Sequence, residues 1–150
     1  MSETNSVSYN IYTPTNKQGL DQNEVLDFLF EHLDEYGDAR ADIASCMAYA
    51  LSTAEGKGGA VIEAREAGKV VGALILNNIG MSGYIPENIL VYVAVHNSQR
   101  GKGVGKRLVQ LATETCSGSI ALHVEPHNPA RYLYEKMGFT NKYLEYRLHR

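Results

Sequence analysis

The stretch Arg100-Gly101-Lys102-Gly103-Val104-Gly105, standing just behind the apolar run Ile89-Leu90-Val91-Tyr92-Val93-Ala94-Val95, constrains this chain more than any other part of it. Downstream, Val104, Leu108, Leu111, Ala112 and Thr115 recur at helical spacing on one face. The order is a buried strand, a glycine-rich turn and a helix. Three glycines at alternate positions let backbone N–H groups crowd around a ligand without Cβ obstruction. The helix start behind them adds unpaired donors and a partial positive charge, which suits a phosphate. Arg100, Lys102, Lys106 and Arg107 concentrate positive charge there, in a chain whose net charge is −3. The stretch predicts a pyrophosphate cradle.

Spacing separates the known phosphate loops. A P-loop needs G-x-x-x-x-G-K-[ST]. Here Gly105-Lys106 is followed by Arg107, and Arg100 occupies the place of the first glycine. A dinucleotide fingerprint needs G-x-G-x-x-G opening a first βαβ unit. From Gly101 its third glycine would fall on Lys106, and from Gly103 on Leu108. Too few residues follow the loop for a doubly wound fold. Neither pattern fits.

The third pattern, [QR]-x-x-G-x-[GA], fits Arg100, Gly103 and Gly105 without adjustment. Downstream comes Asn128-Pro129-Ala130-Arg131-Tyr132-Leu133-Tyr134-Glu135-Lys136-Met137-Gly138-Phe139. The two stretches resemble, in order and separation, the two signatures of the GNAT (Gcn5-related) N-acetyltransferase superfamily. The first of these is that family's coenzyme A loop. In outline the resemblance extends over most of the chain.

At 150 residues the chain is expected to form a single domain, 1–150, large enough to bury well over half of its unfolded surface. Charged residues at 21% and hydrophobic residues at 44% are ordinary for a globular protein. No apolar run approaches the ~20 residues that span a bilayer. The N-terminus, with neither a basic start nor an apolar core, predicts no signal peptide. Cys46 and Cys116, far apart on predicted helices, read as buried reduced thiols rather than a disulfide or metal site. The slight negative charge argues against a general nucleic-acid binder. The expectation is a cytoplasmic protein, a monomer or a homodimer, with no metal, no membrane and no nucleic-acid partner.

Val7 to Thr13 reads as a strand stopped by Pro14. Asp21 with Glu24 resembles a capping box, after which Val25, Phe28, Leu29 and Leu33 mark a helix face that ends at Gly37. A second helix is predicted over 39–51. Strands follow over 60–65 and 70–76, joined by a turn around Gly68, and then over 89–95. This last strand is apolar at every position, as expected of one buried on both faces. Beyond the loop helix come a strand over 119–124, a short helix over 129–137 and a final strand over 142–148. The predicted class is α+β: a central mixed, splayed sheet of six to seven strands flanked by about four helices, as the GNAT fold has.

Acetyl transfer from a thioester to an amine needs a held donor, a polarised carbonyl, a deprotonated amine and a proton for the leaving thiolate. The resemblance implies acetyl-CoA as donor, its pyrophosphate on Gly101, Lys102, Gly103, Val104, Gly105 and Lys106 with Arg100. It implies that the pantetheine arm lies along Val93, Ala94 and Val95 by strand addition. A free N–H near Val95 would polarise the thioester carbonyl. Tyr134 fits the family's general-acid position, five residues before Phe139. Asn128 and Ala130 would line the cofactor channel. One spacing departs: Asn128 stands six positions before Tyr134 where many members have seven, so His127 competes with Asn128 for that role.

Relatives draw a general base from the central strand, where this chain has Ile89, or from the strand after the loop helix. Glu125 and His123 end that second strand and are the expected bases, with Glu87 and His96 behind them. Acceptor choice in the family is set by the segment between the first two helices and by the loop before the central strand. Asp34, Glu35 and Tyr36, in an acidic stretch that also holds Glu31, Asp38 and Asp42, occupy the first; Tyr84 and Glu87 lie in the second. Such an acidic rim would draw a cationic small-molecule or peptide amine. The expected activity is an acetyl-CoA-dependent N-acetyltransferase acting by direct attack in a ternary complex. The alternative is a catalytically weak, coenzyme A-binding regulatory module.

Overall fold

The computed structural model describes residues 6–150; residues 1–5, most of the stretch read above for a targeting signal, lie outside it. Chain order is β1 (Val7–Tyr12), α1 (Gln22–His32), a 3-10 turn (Asp34–Tyr36), α2 (Arg40–Ala50), β2 (Gly59–Glu66), β3 (Lys69–Asn78) and β4 (Asn88–Val95). A second 3-10 turn (Asn97–Gln99), α3 (Val104–Thr115), β5 (Ile120–Leu122) and α4 (Ala130–Lys136) complete it. The strands form one sheet in the order β1-β2-β3-β4-β5. The first four are antiparallel, and β5 runs parallel to β4.

Local chemistry sets these elements. Asp21 caps α1 by accepting the Glu24 amide at 3.1 Å. The β2–β3 hairpin turns on Ala67 and Gly68, both at positive φ (52° and 78°), as a two-residue turn matched to strand twist requires. α1 and α2 bury Val25, Phe28, Leu29, Ile43 and Met47 on one face of the sheet, against Val61, Ala73, Ile75 and Tyr92. α3 buries Val104, Leu108, Val109 and Ala112 on the other face, against Ile62, Leu74 and Leu90, and Tyr134 of α4 joins them. The layers are helix, sheet, helix. Among the described residues no helix is long and apolar enough to cross a membrane. Cys46 and Cys116 are both free.

Three expectations change. The predicted strand over 142–148 does not form, so among the described residues the sheet has five strands rather than six or seven. Tyr143, Leu144, Tyr146 and Leu148 stand 75–88% exposed because this segment pairs with no neighbour. β5 covers only 120–122, since it loses its partner when β4 and β5 diverge past Leu90 and Leu122. β4 itself is not buried on both faces. Asn88, Leu90, Tyr92 and Ala94 are buried, whereas Ile89, Val93 and Val95 are half-buried and Val91 is exposed. The divergence of β5 leaves residues 91–95 without a strand neighbour on that edge among the described residues.

Candidate active site

The parting of β4 and β5 makes the cleft. The two strands pair only over Asn88–Leu90 and Ile120–Leu122. Beyond that, residues 91–95 of β4 have no strand on this edge. The His96 amide donates to the Val71 carbonyl of β3 at 2.8 Å. Strand alternation therefore turns the amides of Val93 and Val95 away from β3, toward the open edge. A register shift strengthens the bend: Ile75 faces Tyr92 while Leu76 faces Leu90, which leaves Val91 as an extra residue on β4.

The glycine loop lies at the C-terminal end of the same strand. His96 Nδ1 accepts the Ser98 amide at 3.0 Å and starts the 3-10 turn. The amides of Arg100 and Lys102 close on the carbonyls of Asn97 and Gln99, so the Lys102 amide is used inside the turn. Gly101 and Gly103 take φ of +75° and +82°, the left-handed region that glycine enters without a Cβ penalty. Arg107 is the first residue whose amide bonds back, to Gly103 at 3.0 Å. The amides of Val104, Gly105 and Lys106 therefore project from the start of α3 without a helical acceptor. Arg100, Lys102 and Lys106 are exposed around them. A Cβ on Gly105 would stand 3.5 Å from both Val95 and Leu133, so the loop helix, the strand end and α4 pack together at this point.

Tyr134 is 7% exposed and makes no hydrogen bond from its hydroxyl to any described residue. Burial pushes its phenol up to about 12. Its ring packs edge-on against Phe139 at 5.8 Å, and its carbonyl accepts the Phe139 amide at 3.0 Å, so Gly138-Phe139 fixes the end of α4. Asn128 turns inward on the backbone: its Oδ1 accepts the Ala130 amide at 2.9 Å. That bond gives Asn128 a capping role at the start of α4.

The structure brings several acceptor-side candidates together. Asp34, at φ 53°, turns the chain sharply out of α1 and presents Glu35 and Tyr36 to the segment after β5. The Tyr36 ring lies 5.7 Å from that of His127, whose Nε2 is 3.9 Å from Glu35. The Tyr36 phenol is raised by desolvation and then by the carboxylates of Glu35 and Glu125. Glu35, Tyr36, Glu125 and His127 thus share one rim, and His123 and Glu125 are exposed. Glu87 and Tyr84 lie elsewhere, before the first residue of β4. Glu87 accepts the amides of Gly83 and Ser119 at 3.1 and 2.8 Å, which hold its carboxyl below the usual range. Tyr84 is 83% exposed at the loop tip. His96 serves the turn and stacks 4.9 Å from His32.

One polar pair escapes the sequence pattern. Tyr92, read there as part of an apolar strand, is buried and donates its hydroxyl to Asp38 at the start of α2. Burial first, then the Asp38 hydrogen bond and charge, raise its phenol far above the ordinary range. A tyrosine among valines was the available signal.

Residues 57–141 match the family model described as an acetyltransferase (GNAT) domain. No curated protein matches the chain. Among solved structures it resembles a ribosomal-protein-alanine N-acetyltransferase from Brucella melitensis biovar Abortus 2308 at 19% identity and TM-score 0.65, covering 97% of this chain and 99% of that one. An aminoglycoside acetyltransferase from an uncultured soil metagenomic sample is similar at 18% identity and TM-score 0.68, with 97% and 99% covered. An aminoglycoside N-acetyltransferase in complex with CoA is similar at 16% identity and TM-score 0.65, with 97% of each chain covered.

Proposed function

The chain belongs to the GNAT acetyltransferase family, and from that premise we propose that it transfers an acetyl group from acetyl-CoA to a primary amine by direct attack in a ternary complex. The observation that carries this reading is the open edge of β4 beside a glycine turn and a helix start with unpaired amides. The site fits the donor by its own chemistry. Left-handed Gly101 and Gly103, the amides of Val104 to Lys106, and Arg100, Lys102 and Lys106 suit a pyrophosphate. The amides of Val93 and Val95 suit the pantetheine amides, which would add as a further strand. Solved relatives that act on aminoglycosides and on ribosomal-protein alanine support an amine acceptor, and the relative bound to CoA supports the donor.

The chemistry needs few side chains. The amine nitrogen attacks the thioester carbonyl, and the C–S bond breaks. A β4 amide at the open edge stabilises the oxygen as negative charge develops. Tyr134, kept neutral by burial, donates a hydrogen bond to the departing sulfur. Glu125, exposed beside Tyr36, takes the ammonium proton directly or through water, with His123 as its neighbour. Glu35 and Tyr36 of the shared rim face the incoming amine, and the carboxylates of Glu35 and Glu125 favour a cationic one.

Thiol release from acetyl-CoA across a panel of primary amines, with CoA binding measured in parallel, tests this. Turnover with at least one amine is expected. Binding without turnover would instead support the regulatory module. Absence of CoA binding would overturn both.

A further inference from the structure

We propose that His96 is a pH-sensitive latch on the glycine loop. Protonating its imidazole releases the turn at Asn97–Gln99 and weakens coenzyme A binding, an inference that rests on reading the loop as the coenzyme A site. His96 stands at the N-cap of that turn, directly after β4. Its Nδ1 accepts the Ser98 amide at 3.0 Å, and Ser98 Oγ lies 2.9 Å from the same atom. A nitrogen that accepts carries no proton, so the neutral ring holds its hydrogen on Nε2. A second proton goes to Nδ1. The cation can then donate from Nδ1 to Ser98 Oγ, but it can no longer accept the Ser98 amide.

Few other bonds hold the turn. A 3-10 run has poorer hydrogen-bond geometry than an α-helix. Here the Gln99 amide donates to the His96 carbonyl at 2.9 Å and the Arg100 amide to the Asn97 carbonyl at 3.2 Å. Arg100 also reaches the Asn97 side chain at 3.1 Å, in an exposed contact. The Gln99 side chain is 2% exposed and donates to Glu66 at 3.2 Å, yet its Oε1 accepts nothing from any described residue. The Lys102 amide closes on the Gln99 carbonyl at 3.1 Å, so the end of the turn sets where left-handed Gly101 and Gly103 begin. A frayed turn holds the loop in its binding geometry for a smaller fraction of the time, and apparent affinity falls by that fraction.

Imidazole is the side chain whose ordinary charge change falls between about pH 5 and 8. Charged groups face this one from each element around it. From α1 the His32 ring lies 4.9 Å away, with Glu31 3.4 Å from His32. From the β2–β3 hairpin, Glu66 and Lys69 line one open hollow with His96 and Ser98, through which solvent reaches the ring. Arg100 ends the turn itself. Two imidazolium rings at 4.9 Å repel, which adds to the loss of the cap at low pH. A new cation also attracts phosphate, the opposite sign, but salt screens that attraction and does not restore the cap.

Calorimetric coenzyme A titrations from pH 8 to pH 5.5 at one ionic strength test the latch on the full chain, His96→Asn and His96→Ala. An Asn side chain accepts the amide two residues on and gains no proton in this range, whereas Ala accepts nothing. The ligand's own phosphates titrate alike in all three titrations, so ratios of Kd isolate the ring. The parent should match His96→Asn at pH 8 and bind about fivefold more weakly at pH 5.5, the worth of one cap. His96→Ala should stay about fivefold weaker than His96→Asn at every pH. In the parent without ligand, the Ser98 amide should lose its downfield, hydrogen-bonded NMR shift as the imidazole titrates. That measurement decides the matter even if the variants fail to fold. A Kd ratio flat in pH, a parent tighter than His96→Asn at pH 5.5, or a constant Ser98 shift would overturn the latch. Absence of coenzyme A binding at every pH would instead remove the reading of the loop, and the Ser98 shift would then uphold or overturn the latch by itself.

Discussion

Tyr134 experiences one dominant influence, burial, and this makes it a weak acid at about 12. A departing thiol titrates near ~8.5, so complete proton transfer from the phenol would be uphill by three to four units, roughly 5 kcal/mol. In the proposed reaction Tyr134 would therefore act as a hydrogen-bond donor to the developing thiolate, and the proton that ends on sulfur would originate on the amine. Tyr134→Phe should lower turnover by about 10²-fold and leave the CoA dissociation constant within about twofold. Thiol-release kinetics with calorimetric CoA titration separate the two quantities, and unchanged turnover would remove the assignment. The same burial has a stability consequence. The folded pKa is raised above the unfolded value of 10.0, so Tyr134 stabilises fully below pH 10 and that contribution is lost as pH rises from 10 toward 12. Urea melts at pH 9 and pH 11 should show a smaller alkaline loss in Tyr134→Phe than in the parent.

At the scale of single elements, β2 carries the most costly charge. Glu63 is 1% exposed and accepts from Asn10 of β1, Tyr12 of β1 and Arg65 at 2.8–3.1 Å. Arg65 in turn bonds Glu24 of α1 at 2.7 Å, so one carboxylate joins β1, β2 and α1. Removing it leaves Arg65 half-paired and Tyr12 without an acceptor. Glu63→Ala should cost about 3–5 kcal/mol, read as a fall in the urea midpoint at unchanged slope. The loop element obeys a different constraint, backbone handedness. At φ +82° a Cβ is strained by about 1–2 kcal/mol, and more for a branched residue. Gly103→Val should therefore weaken CoA binding by about tenfold or more by calorimetry. These elements also show what the sequence disclosed. The Asp21 cap, the Gly68 turn, the glycine loop and α4 were legible, because each rests on local backbone chemistry or on a short spacing. β5 was placed correctly but read too long, and the segment after Phe139 was misread as a strand, since alternation states a preference for pairing without naming a partner. The ties made by Glu87, Asn128, Glu63 and Tyr92 were illegible, because all but the Asn128 cap join residues distant in the chain and even that one depends on which way a side chain turns.

Across the whole molecule, the two helical layers clamp β1 to β4 firmly, while β5 is joined to the sheet by three residue pairs. The cleft opens where that attachment ends. A ligand lying along β4 with its phosphates on α3 would touch the strand, the glycine loop and α4 together. Positive charge gathers at the loop end of β4 and carboxylates at the Glu35–Glu125 rim, so a chain of modest net charge carries opposite signs at these two places. Binding only the folded state stabilises by RT ln(1 + [L]/Kd), about 2.7 kcal/mol at a hundredfold excess over Kd. For a domain of this size each kcal/mol raises Tm by about 2–4 °C, so saturating CoA should raise it by roughly 5–10 °C. Because Arg100, Lys102 and Lys106, the proposed phosphate partners, are charged and exposed, that shift should shrink as salt rises from low to physiological ionic strength. Differential scanning fluorimetry with CoA, and with dephosphorylated pantetheine as control, measures it. Amide exchange should slow at 93–95 and 104–106 before it slows at β2 or β3, since the core strands are already closed without ligand. A shift of equal size with pantetheine would move the binding energy off the glycine loop.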